Sequence, residues 1–251
     1  MKATCFISLM LATVALLIFS VPVHASKADN RIEATARQSY IFKAFLQGDD
    51  IKIESRNGDV ILTGVVADNF NKSLAQETIG SIAGVKSVDN RLEMKGASPT
   101  ANSDAWIRNK VKTTLLFHRS VSADTTTVDV KDGIVTLRGD ALSGAQRDLT
   151  AEYARDIEGV KGVNNEMTVA KTANKTQTVG EKIDDASITA QVKMTLLYHR
   201  STSVLNTRVE TNDGVVTMYG KAGSAAEKEL AGKFASDVNG VKGVKNRMTI
   251  E

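Results

Sequence analysis

The sequence predicts an α+β protein made of three tandem copies of one small module. Three segments share the same turn and strand pattern: NGDVILTG at 57–64, KDGIVTLRG at 131–139 and NDGVVTMYG at 212–220. In each copy a second glycine follows the turn glycine after 26 residues, in the pairs Gly58 and Gly84, Gly133 and Gly159, Gly214 and Gly240. Repeated modules of this size are typical of binding or scaffolding proteins rather than of enzyme active sites.

Each copy is predicted to fold in the order helix, strand, strand, helix, strand. This order gives a three-stranded mixed sheet with two helices packed on one face. The predicted boundaries are 29–95 for module 1, 103–169 for module 2 and 184–251 for module 3. Small and polar residues at 96–102 and 170–183 predict linkers between the modules. Modules of this length have small cores, so packing against one another would stabilise them.

The first helix of module 2 is predicted to be capped by Ser103 or Asp104, because both side chains can accept hydrogen bonds from the free N–H groups at a helix start. The apolar residues that follow recur at spacings of three and four, which places them on one buried face. In module 2 this face comprises Ile107, Val111, Thr114, Leu115 and His118. The corresponding residues are Ile188, Val192, Thr195, Leu196 and His199 in module 3, and Ile32, Ala36 and Tyr40 in module 1.

A tight β-hairpin is predicted around the Asp-Gly pair at 132–133, which separates two runs of alternating, β-rich sequence. A turn of this type needs positive φ at both central residues, and Asp-Gly adopts that conformation readily. The resulting register places Val130 opposite Val135 and Val128 opposite Leu137. We therefore expect these four side chains to share the sheet face that covers the first helix.

The second helix of module 2 is predicted to start at Ser143, with Gln146 at the spacing of a capping box, and to end before Gly159. Its apolar periodicity also predicts a buried face. The predicted face comprises Ala145, Leu149, Tyr153 and Ile157 in module 2, and Ala226, Leu230, Phe234 and Val238 in module 3. The run at 160–169 is rich in β-branched residues and predicts the last strand.

Residues 1–25 lie outside the repeats and predict a secretory signal peptide. Lys2 precedes an apolar run, Pro22 ends it, and the small residues around Ala25 predict cleavage there. The run is shorter than the about 20 apolar residues that a membrane span needs. We therefore expect a soluble exported protein after cleavage near Ala25; the alternative is that the segment stays uncleaved as a membrane anchor. The only cysteine, Cys5, lies in this segment, so no disulfide or thiol chemistry is expected in the mature chain.

The balance of charge argues against a nucleic-acid-binding protein. The net charge is +3, and it falls to +2 when the segment that carries Lys2 is removed. Nucleic-acid-binding proteins concentrate basic residues on one surface, and the basic residues of this sequence are instead interspersed with acidic ones. We therefore expect no nucleic-acid partner.

Module 2 carries a family resemblance in three consecutive motifs: a helix that ends in LLFHR at 115–119, the hairpin VDVKDGIVTLRG at 128–139, and GVKGVNN at 159–165. The same order recurs in full at 184–250 and more loosely at 31–95. These motifs resemble the BON domain of bacterial osmotic-stress and envelope proteins, and the architecture is similar to that of OsmY-like periplasmic proteins. The resemblance implies a non-enzymatic periplasmic protein that associates with phospholipid membranes or maintains the envelope under stress. It implies no catalytic residues and no cofactor.

His118 and His199 are the histidines of the repeats, and each lies at the end of a first helix and is followed by arginine. A metal site would need further His, Asp or Glu ligands at matching helical spacing, which the sequence around them lacks. We interpret both as helix C-terminal residues that pack on the core and complement the helix dipole. The acid pairs at 49–50 and 184–185 lie in a loop and at a helix start, where carboxylates are ordinary caps. No metal site or general acid is predicted.

Trp106 is the candidate for contact with a partner, because its counterparts in the other modules are Arg31 and Ser187. On a helix, Lys110 lies beside Trp106, and Lys112 lies further round. An aromatic ring with neighbouring cations suits a membrane interface, where the indole lies at headgroup depth and the lysines meet anionic lipid. The alternative is that Trp106 packs against the preceding linker or a neighbouring module.

Two functions are compatible with the sequence. The first is weak association of a soluble periplasmic protein with anionic phospholipid at a membrane surface, through Trp106, Lys110, Lys112 and Phe117. Phe117 continues the stripe of Trp106, but an aromatic residue occupies its position in every module, which favours a structural role. The second function is a protein-binding or holding module for envelope proteins in transit, which would add an extended segment to an exposed sheet edge.

Overall fold

The computed structural model describes residues 26–96, 99–121, 123–170, 182–202 and 206–251. The predicted signal peptide at 1–25, with its cleavage site near Ala25, lies outside the described residues. Parts of both predicted linkers lie outside them as well.

Each module contains two principal helices and one small sheet. Module 1 comprises α1 (Lys27–Gln38), α2 (Tyr40–Ala44), β1 (Asp50–Arg56), β2 (Asp59–Val66), α3 (Asn69–Gly80) and β3 (Ser87–Met94). Module 2 comprises α4 (Asp104–Phe117), β4 (Thr126–Lys131), β5 (Ile134–Ala141), α5 (Gly144–Arg155), β6 (Gly162–Asn165) and β7 (Thr168–Val169), with a short 3₁₀ turn at Ala123–Thr125. Module 3 comprises α6 (Asp185–Tyr198), β8 (Thr207–Asn212), β9 (Val215–Ala222), α7 (Ala225–Asp237), β10 (Gly243–Asn246) and β11 (Thr249–Ile250).

The three sheets share one topology, with the second strand of each module at the centre. In module 1, β2 pairs antiparallel with β1 and parallel with β3. In module 2, β5 lies between β4 and the β6 and β7 segments, and in module 3, β9 lies between β8 and the β10 and β11 segments. The predicted α+β fold of three mixed sheets is therefore confirmed. The last strand is continuous only in module 1, so the single strand predicted over 160–169 is wrong in module 2.

The hairpin of module 2 has the predicted turn and register. Asp132 and Gly133 have φ angles of 53° and 82°, as a primed turn requires. Each valine and leucine pair expected to face across the turn does so, with β4 and β5 in register from Thr126 opposite Gly139 to Lys131 opposite Ile134. The four predicted inward side chains are all buried.

A carboxylate near the start of the first helix ties that helix to the hairpin turn. Ser103, not Asp104, caps α4. The two carboxylate oxygens of Asp104 instead accept hydrogen bonds from the backbone N–H groups at 132–133, each at 2.8 Å. Asp29 and Asp185 make the equivalent pair of bonds in modules 1 and 3. The hydrogen bonds from the turn lower the pKa of Asp104 below its ordinary value.

The predicted buried face of the first helix is confirmed in modules 2 and 3. Every residue of that face is buried in modules 2 and 3, including the C-cap residues His118 and His199. Module 1 differs because α1 ends at Gln38, and Tyr40 belongs to the separate short helix α2, where its side chain is half-buried.

The predicted buried face of the second helix is wrong at its start. Ala145 in α5 and Ala226 in α7 are exposed, whereas Leu149 and Tyr153 are half-buried. The buried residues of α5 are Thr150, Ala151 and Ala154. These small side chains allow α5 to lie close to its own sheet. Tyr153 reaches the neighbouring module instead, where its ring centroid is 5.7 Å from that of Phe234.

Helix α6 lies at the centre of the molecule. Eleven of its 14 residues are buried, because it contacts α3 of module 1 and α4 of module 2 as well as its own sheet. Helices buried on nearly every side lack the amphipathic pattern of a surface helix. Polar contacts join α6 and its N-cap Asp184 to module 1. Lys193 pairs with Glu77 at 3.0 Å, the Tyr40 N–H donates to the Asp184 carboxylate at 2.8 Å, and the Ile41 N–H donates to the Ser187 hydroxyl at 3.2 Å.

Aromatic rings from all three modules meet beside α6. The Phe117 ring of module 2 is fully buried, with its centroid 5.5 Å from that of Phe45 and 5.8 Å from that of Phe70 in module 1. The Phe70 ring also lies 5.7 Å from Tyr198 of module 3. Tilted and edge-on contacts of this kind stabilise a buried cluster beyond the area they cover. The three modules therefore share part of one core.

Modules 2 and 3 contact each other through equivalent segments. The Arg119 N–H donates to the Asp237 carbonyl at 2.9 Å, and the Arg200 N–H donates to the Asp156 carbonyl at 2.6 Å. Arg119 and Arg200 occupy the same position in their modules, as do Asp156 and Asp237. The interface is therefore reciprocal, with the end of each first helix bound to the end of the other module's second helix.

Candidate functional site

Helix α4 brings Trp106 to a cavity of about 610 Å³ where the three modules meet. Module 2 contributes Trp106, Lys110 and Glu158 to the cavity wall. Module 1 contributes Phe70 and its neighbours, and module 3 contributes Leu197 and Tyr198. Apolar rings, one cation and a few polar groups therefore converge there, which is the usual composition of a ligand site.

The ammonium group of Lys110 is the cation of this site. Its Nζ atom lies 3.8 Å from the centroid of the Trp106 ring and 4.8 Å from that of Tyr198. Nζ also forms an ion pair with Oε2 of Glu158 at 3.1 Å. Only 13% of the Lys110 side chain is exposed, whereas 58% of the Glu158 side chain is exposed. The cation is thus held in place by two aromatic faces, while its carboxylate partner lies at the surface.

Tyr198 contributes a neutral ring to this site. Burial raises the pKa of its hydroxyl, and the negative charge of Asp68 acts in the same direction. The ring therefore presents its electron-rich face to Lys110 at every physiological pH.

Leu197 gives the cavity an apolar edge. Its residue surface is 52% exposed, which is unusual for a leucine in a helix as buried as α6. An exposed leucine next to a half-buried tryptophan and a lysine forms a small amphipathic surface. Such a surface can contact an anionic group through Lys110 and hydrocarbon through Leu197.

The structure brings together two of the four predicted site residues. Trp106 and Lys110 lie on the cavity, with Trp106 half-buried against the core as well as beside linker residues Pro99 and Ala101. Lys112 is exposed, but it follows Lys110 by two positions and so lies about 160° away around α4. Phe117 is fully buried in the aromatic cluster between modules.

The corresponding surface of module 3 is buried and cannot contact a ligand. Ser187 and Gln191 replace Trp106 and Lys110 there, and both are fully buried because α6 packs against the other modules. In module 1, Arg31 replaces the tryptophan. The pair of tryptophan and lysine therefore belongs to module 2 and has no counterpart in the other two modules.

Sequence reasoning did not identify Glu158, Leu197 or Tyr198 as site residues. Leu197 and Tyr198 belong to module 3, and the packing of α6 against α4 places them beside Lys110, whereas Glu158 lies in the loop that follows α5 of module 2. Sequence reasoning also did not identify the buried contact of His118 with His199. The sequence contains a signal for this contact. Modules 2 and 3 both carry histidine at the end of the first helix and aspartate at the end of the second, whereas module 1 has Lys43 and Ser81 at these positions.

Two further properties concern only the part of the chain that the structure describes. In that part, no three His, Cys, Asp or Glu side chains are grouped so that they could hold a metal ion. Over the same residues, none of the helices combines the length and the apolar character required to span a bilayer.

Comparison with known proteins identifies the modules. The BON domain family matches residues 28–96, 103–171 and 184–251. The chain is 32% identical over 198 residues to the Osmotically-inducible protein Y of Escherichia coli (strain K12), a match that covers 78% of this chain and 95% of that protein. It is also 31% identical over 115 residues to the 21 kDa hemolysin of Actinobacillus pleuropneumoniae, which covers 45% of this chain and 59% of the hemolysin.

Among solved structures, the chain resembles CdsD, a structural protein of the type III secretion system of Chlamydia trachomatis. That likeness covers 88% of this chain and 91% of CdsD, with 16% identity and a TM-score of 0.25. The family therefore follows from the sequence matches, which place a BON domain on each of the three modules. The chain belongs to the BON domain family and carries three tandem copies of the domain.

Proposed function

We propose that this protein is a non-enzymatic periplasmic protein of the osmotic or envelope stress response, which associates with anionic phospholipid surfaces through the cavity beside α4. The stress role is supported by the match to the Osmotically-inducible protein Y along nearly the full length of that protein. Export to the periplasm is supported by the predicted signal peptide at 1–25.

The observation that carries the phospholipid proposal is the position of Lys110 between Trp106 and Tyr198. A lipid phosphate would replace or join the Glu158 carboxylate at the Lys110 ammonium. The indole of Trp106 and the exposed Leu197 would then contact the glycerol and the start of the acyl chains. The site would use one headgroup rather than a broad basic surface.

Binding of this kind is weak and reversible. One lysine near an anionic surface contributes on the order of 1 kcal/mol, and burial of one tryptophan and one leucine adds a few kcal/mol at most. Because the electrostatic part is screened by salt, association should weaken as ionic strength rises. The protein would therefore exchange between the membrane surface and solution.

Sedimentation with vesicles tests the proposal. Wild-type protein is expected to sediment with phosphatidylglycerol vesicles and much less with phosphatidylcholine vesicles. Lys110→Gln is expected to lower the anionic-vesicle affinity about fivefold or more, which corresponds to the loss of about 1 kcal/mol. Lys112→Gln removes the same charge from the same helix on a different face and should have a smaller effect. Equal effects of the two substitutions, or no sedimentation with either vesicle, would rule out the site.

The single tryptophan provides a second measurement. Trp106 fluorescence should shift to shorter wavelength when phosphatidylglycerol vesicles are added, because the indole leaves water for the headgroup region. Leu197→Ser should weaken binding, whereas Leu116→Ser, at the equivalent position of module 2, should leave it unchanged. Binding without any change in Trp106 fluorescence would place the contact elsewhere on the protein.

A further inference from the structure

The interface between modules 2 and 3 contains two buried histidines that face each other. Nε2 of His118 lies 3.2 Å from Nε2 of His199, and neither side chain is exposed. The remaining ring nitrogens face carboxylates of the opposite module. Nδ1 of His118 lies 3.1 Å from Oδ2 of Asp237, and Nδ1 of His199 lies 3.2 Å from Oδ2 of Asp156. The four side chains form one continuous chain of hydrogen bonds across the interface.

Both carboxylates of this chain are ionised. Burial opposes the ionisation of Asp156, but hydrogen bonds from His199 and Ser201 outweigh it and hold the pKa below its ordinary value. Burial likewise opposes ionisation of Asp237, and hydrogen bonds from His118, Ser120 and Tyr153 hold its pKa below the ordinary value. An ionised carboxylate can only accept hydrogen bonds, so the facing Nδ1 atom of each histidine must carry a proton.

The contact between the two Nε2 atoms then fixes the number of protons. If both atoms lacked a proton, two lone pairs would face each other at 3.2 Å in a buried site. If both carried a proton, two N–H groups and two positive charges would face each other at the same distance. Only one proton between the Nε2 atoms makes a hydrogen bond. We propose that His118 and His199 form a buried proton-binding site that holds one proton between them and couples the docking of modules 2 and 3 to pH.

The groups around the pair favour one positive charge there. Two ionised aspartates flank it, and the Tyr153 hydroxyl donates to Oδ2 of Asp237 at 2.8 Å. Burial, together with the bond to Asp237, raises the pKa of Tyr153, so this residue remains neutral. Nε of Arg119 lies 3.9 Å from Oδ1 of Asp237 and compensates part of that charge from the surface.

An aromatic ring and a guanidinium group also lie beside His199. The Phe234 ring stacks on His199 with a centroid distance of 4.0 Å, which excludes water. The guanidinium of Arg200 donates to the Arg155 carbonyl at 3.1 Å.

The same surroundings resist a second proton. Burial lowers the pKa of His199, and so does the charge of His118, although the hydrogen bond to Asp156 opposes them. With one ring charged, a second positive charge beside it is therefore disfavoured, as expected for two coupled groups.

Coupling to docking follows from a comparison with the separated modules. Two solvated histidines with ordinary pKa values of about 6.5 together carry almost no positive charge at pH 8, when both rings are neutral, and almost two positive charges at pH 5. Docking therefore takes up about one proton at pH 8 and releases about one at pH 5. The docking equilibrium constant should be highest at about pH 6.5, fall about threefold over the first pH unit on either side, and approach a tenfold fall per unit beyond that.

The proton count can be measured directly by nitrogen-15 NMR of labelled histidine. After the predicted cleavage near Ala25, His118 and His199 are the only histidines of the mature chain, which simplifies the spectrum. At pH 7.5, three of the four ring nitrogens are expected to carry a proton, with one proton shared between the two Nε2 atoms. Two protonated nitrogens, corresponding to two neutral rings, would overturn the proposal. This measurement does not depend on lipid binding.

The pH dependence is tested on the full chain. The urea-unfolding midpoint of the wild type should be highest at about pH 6.5 and should fall on both sides between about pH 5 and 8. His118→Gln combined with His199→Gln should remove this maximum. Lys43→Gln, which removes a cation at the equivalent position of module 1, should keep it. If the double variant does not fold, His199→Gln alone should lose the alkaline decline, because no second ring remains to share the proton. A wild-type midpoint that is constant over this range would refute the coupling.

Discussion

The Nζ atom of Lys110 lies 3.1 Å from Oε2 of Glu158, and this ion pair joins α4 to the segment that follows α5. Lys110 is largely enclosed by rings, whereas Glu158 is exposed, so the carboxylate is the partner that can be exchanged. A lipid phosphate and Glu158 would compete for the same ammonium group.

This competition predicts that removal of Glu158 strengthens membrane binding. Glu158→Gln should increase the affinity for phosphatidylglycerol vesicles about threefold to tenfold, because the phosphate no longer displaces a carboxylate. Vesicle sedimentation at low ionic strength measures the change. Glu93→Gln removes one negative charge from module 1 and controls for the change in net charge. An equal increase in both variants would mean that Lys110 is not the phosphate contact.

The hydroxyl of Tyr153 is predicted to stabilise the interface between modules 2 and 3. Phe234 occupies its position in module 3, so the ring alone is compatible with the fold. Tyr153→Phe should lower the free energy of unfolding by about 1 to 2 kcal/mol, because Asp237 loses a partly buried hydrogen bond. Urea unfolding at pH 7 measures this loss. Tyr219→Phe, on the sheet of module 3, is the control and should change stability by less than about 0.5 kcal/mol; a similar loss in both would contradict the assignment.

Gly139 is predicted to be intolerant of any side chain. Its φ is 129°, and a Cβ atom built there would lie 1.9 Å from the Thr125 carbonyl oxygen. Gly139→Ala should therefore cost roughly 3 kcal/mol or more. Gly144, at the start of α5, has open space around it. Gly144→Ala should be neutral or stabilising by up to about 1 kcal/mol. Thermal unfolding compares the two, and equal stability would show that the strand pairing adapts at Gly139.

Acid unfolding is predicted to depend on the carboxylates that bind the hairpin turns. Hydrogen bonds from Ser26, Ser55 and the turn amide of Gly58 lower the pKa of Asp29 far below its ordinary value. Because the folded pKa is depressed, the stabilisation is present above about pH 4 and is lost as the pH falls through the folded pKa.

Asp29→Asn should therefore destabilise the protein more at pH 7 than at pH 3. The two free energies of unfolding, measured with urea and followed by circular dichroism, give the comparison. Asp50→Asn, at an exposed position of β1, controls for the loss of a carboxylate. An effect of Asp29→Asn that is the same at both pH values would exclude a role for its ionisation.

Much of each module could be predicted because its determinants are local. The Asp-Gly turn at 132–133 sets the hairpin register, and apolar spacing identifies the buried face of α4. The face of α5 could not be predicted in the same way. Tyr153 of its predicted stripe packs against Phe234 of module 3, and periodicity does not distinguish an inter-module contact from a core contact.

The sequence by itself determined the number of modules, their fold and the family, since caps, turns and apolar spacing act within a few residues of one another. Only the tertiary structure decided which residues of each copy lie on the cavity and which lie at the interfaces between modules. It placed Trp106 and Lys110 on a cavity shared with Leu197 and Tyr198, and it buried Phe117 between modules. It also brought His118 within hydrogen-bond distance of His199, 81 positions away. Contacts between modules depend on which helix faces meet in space, and no periodicity within one module encodes that choice.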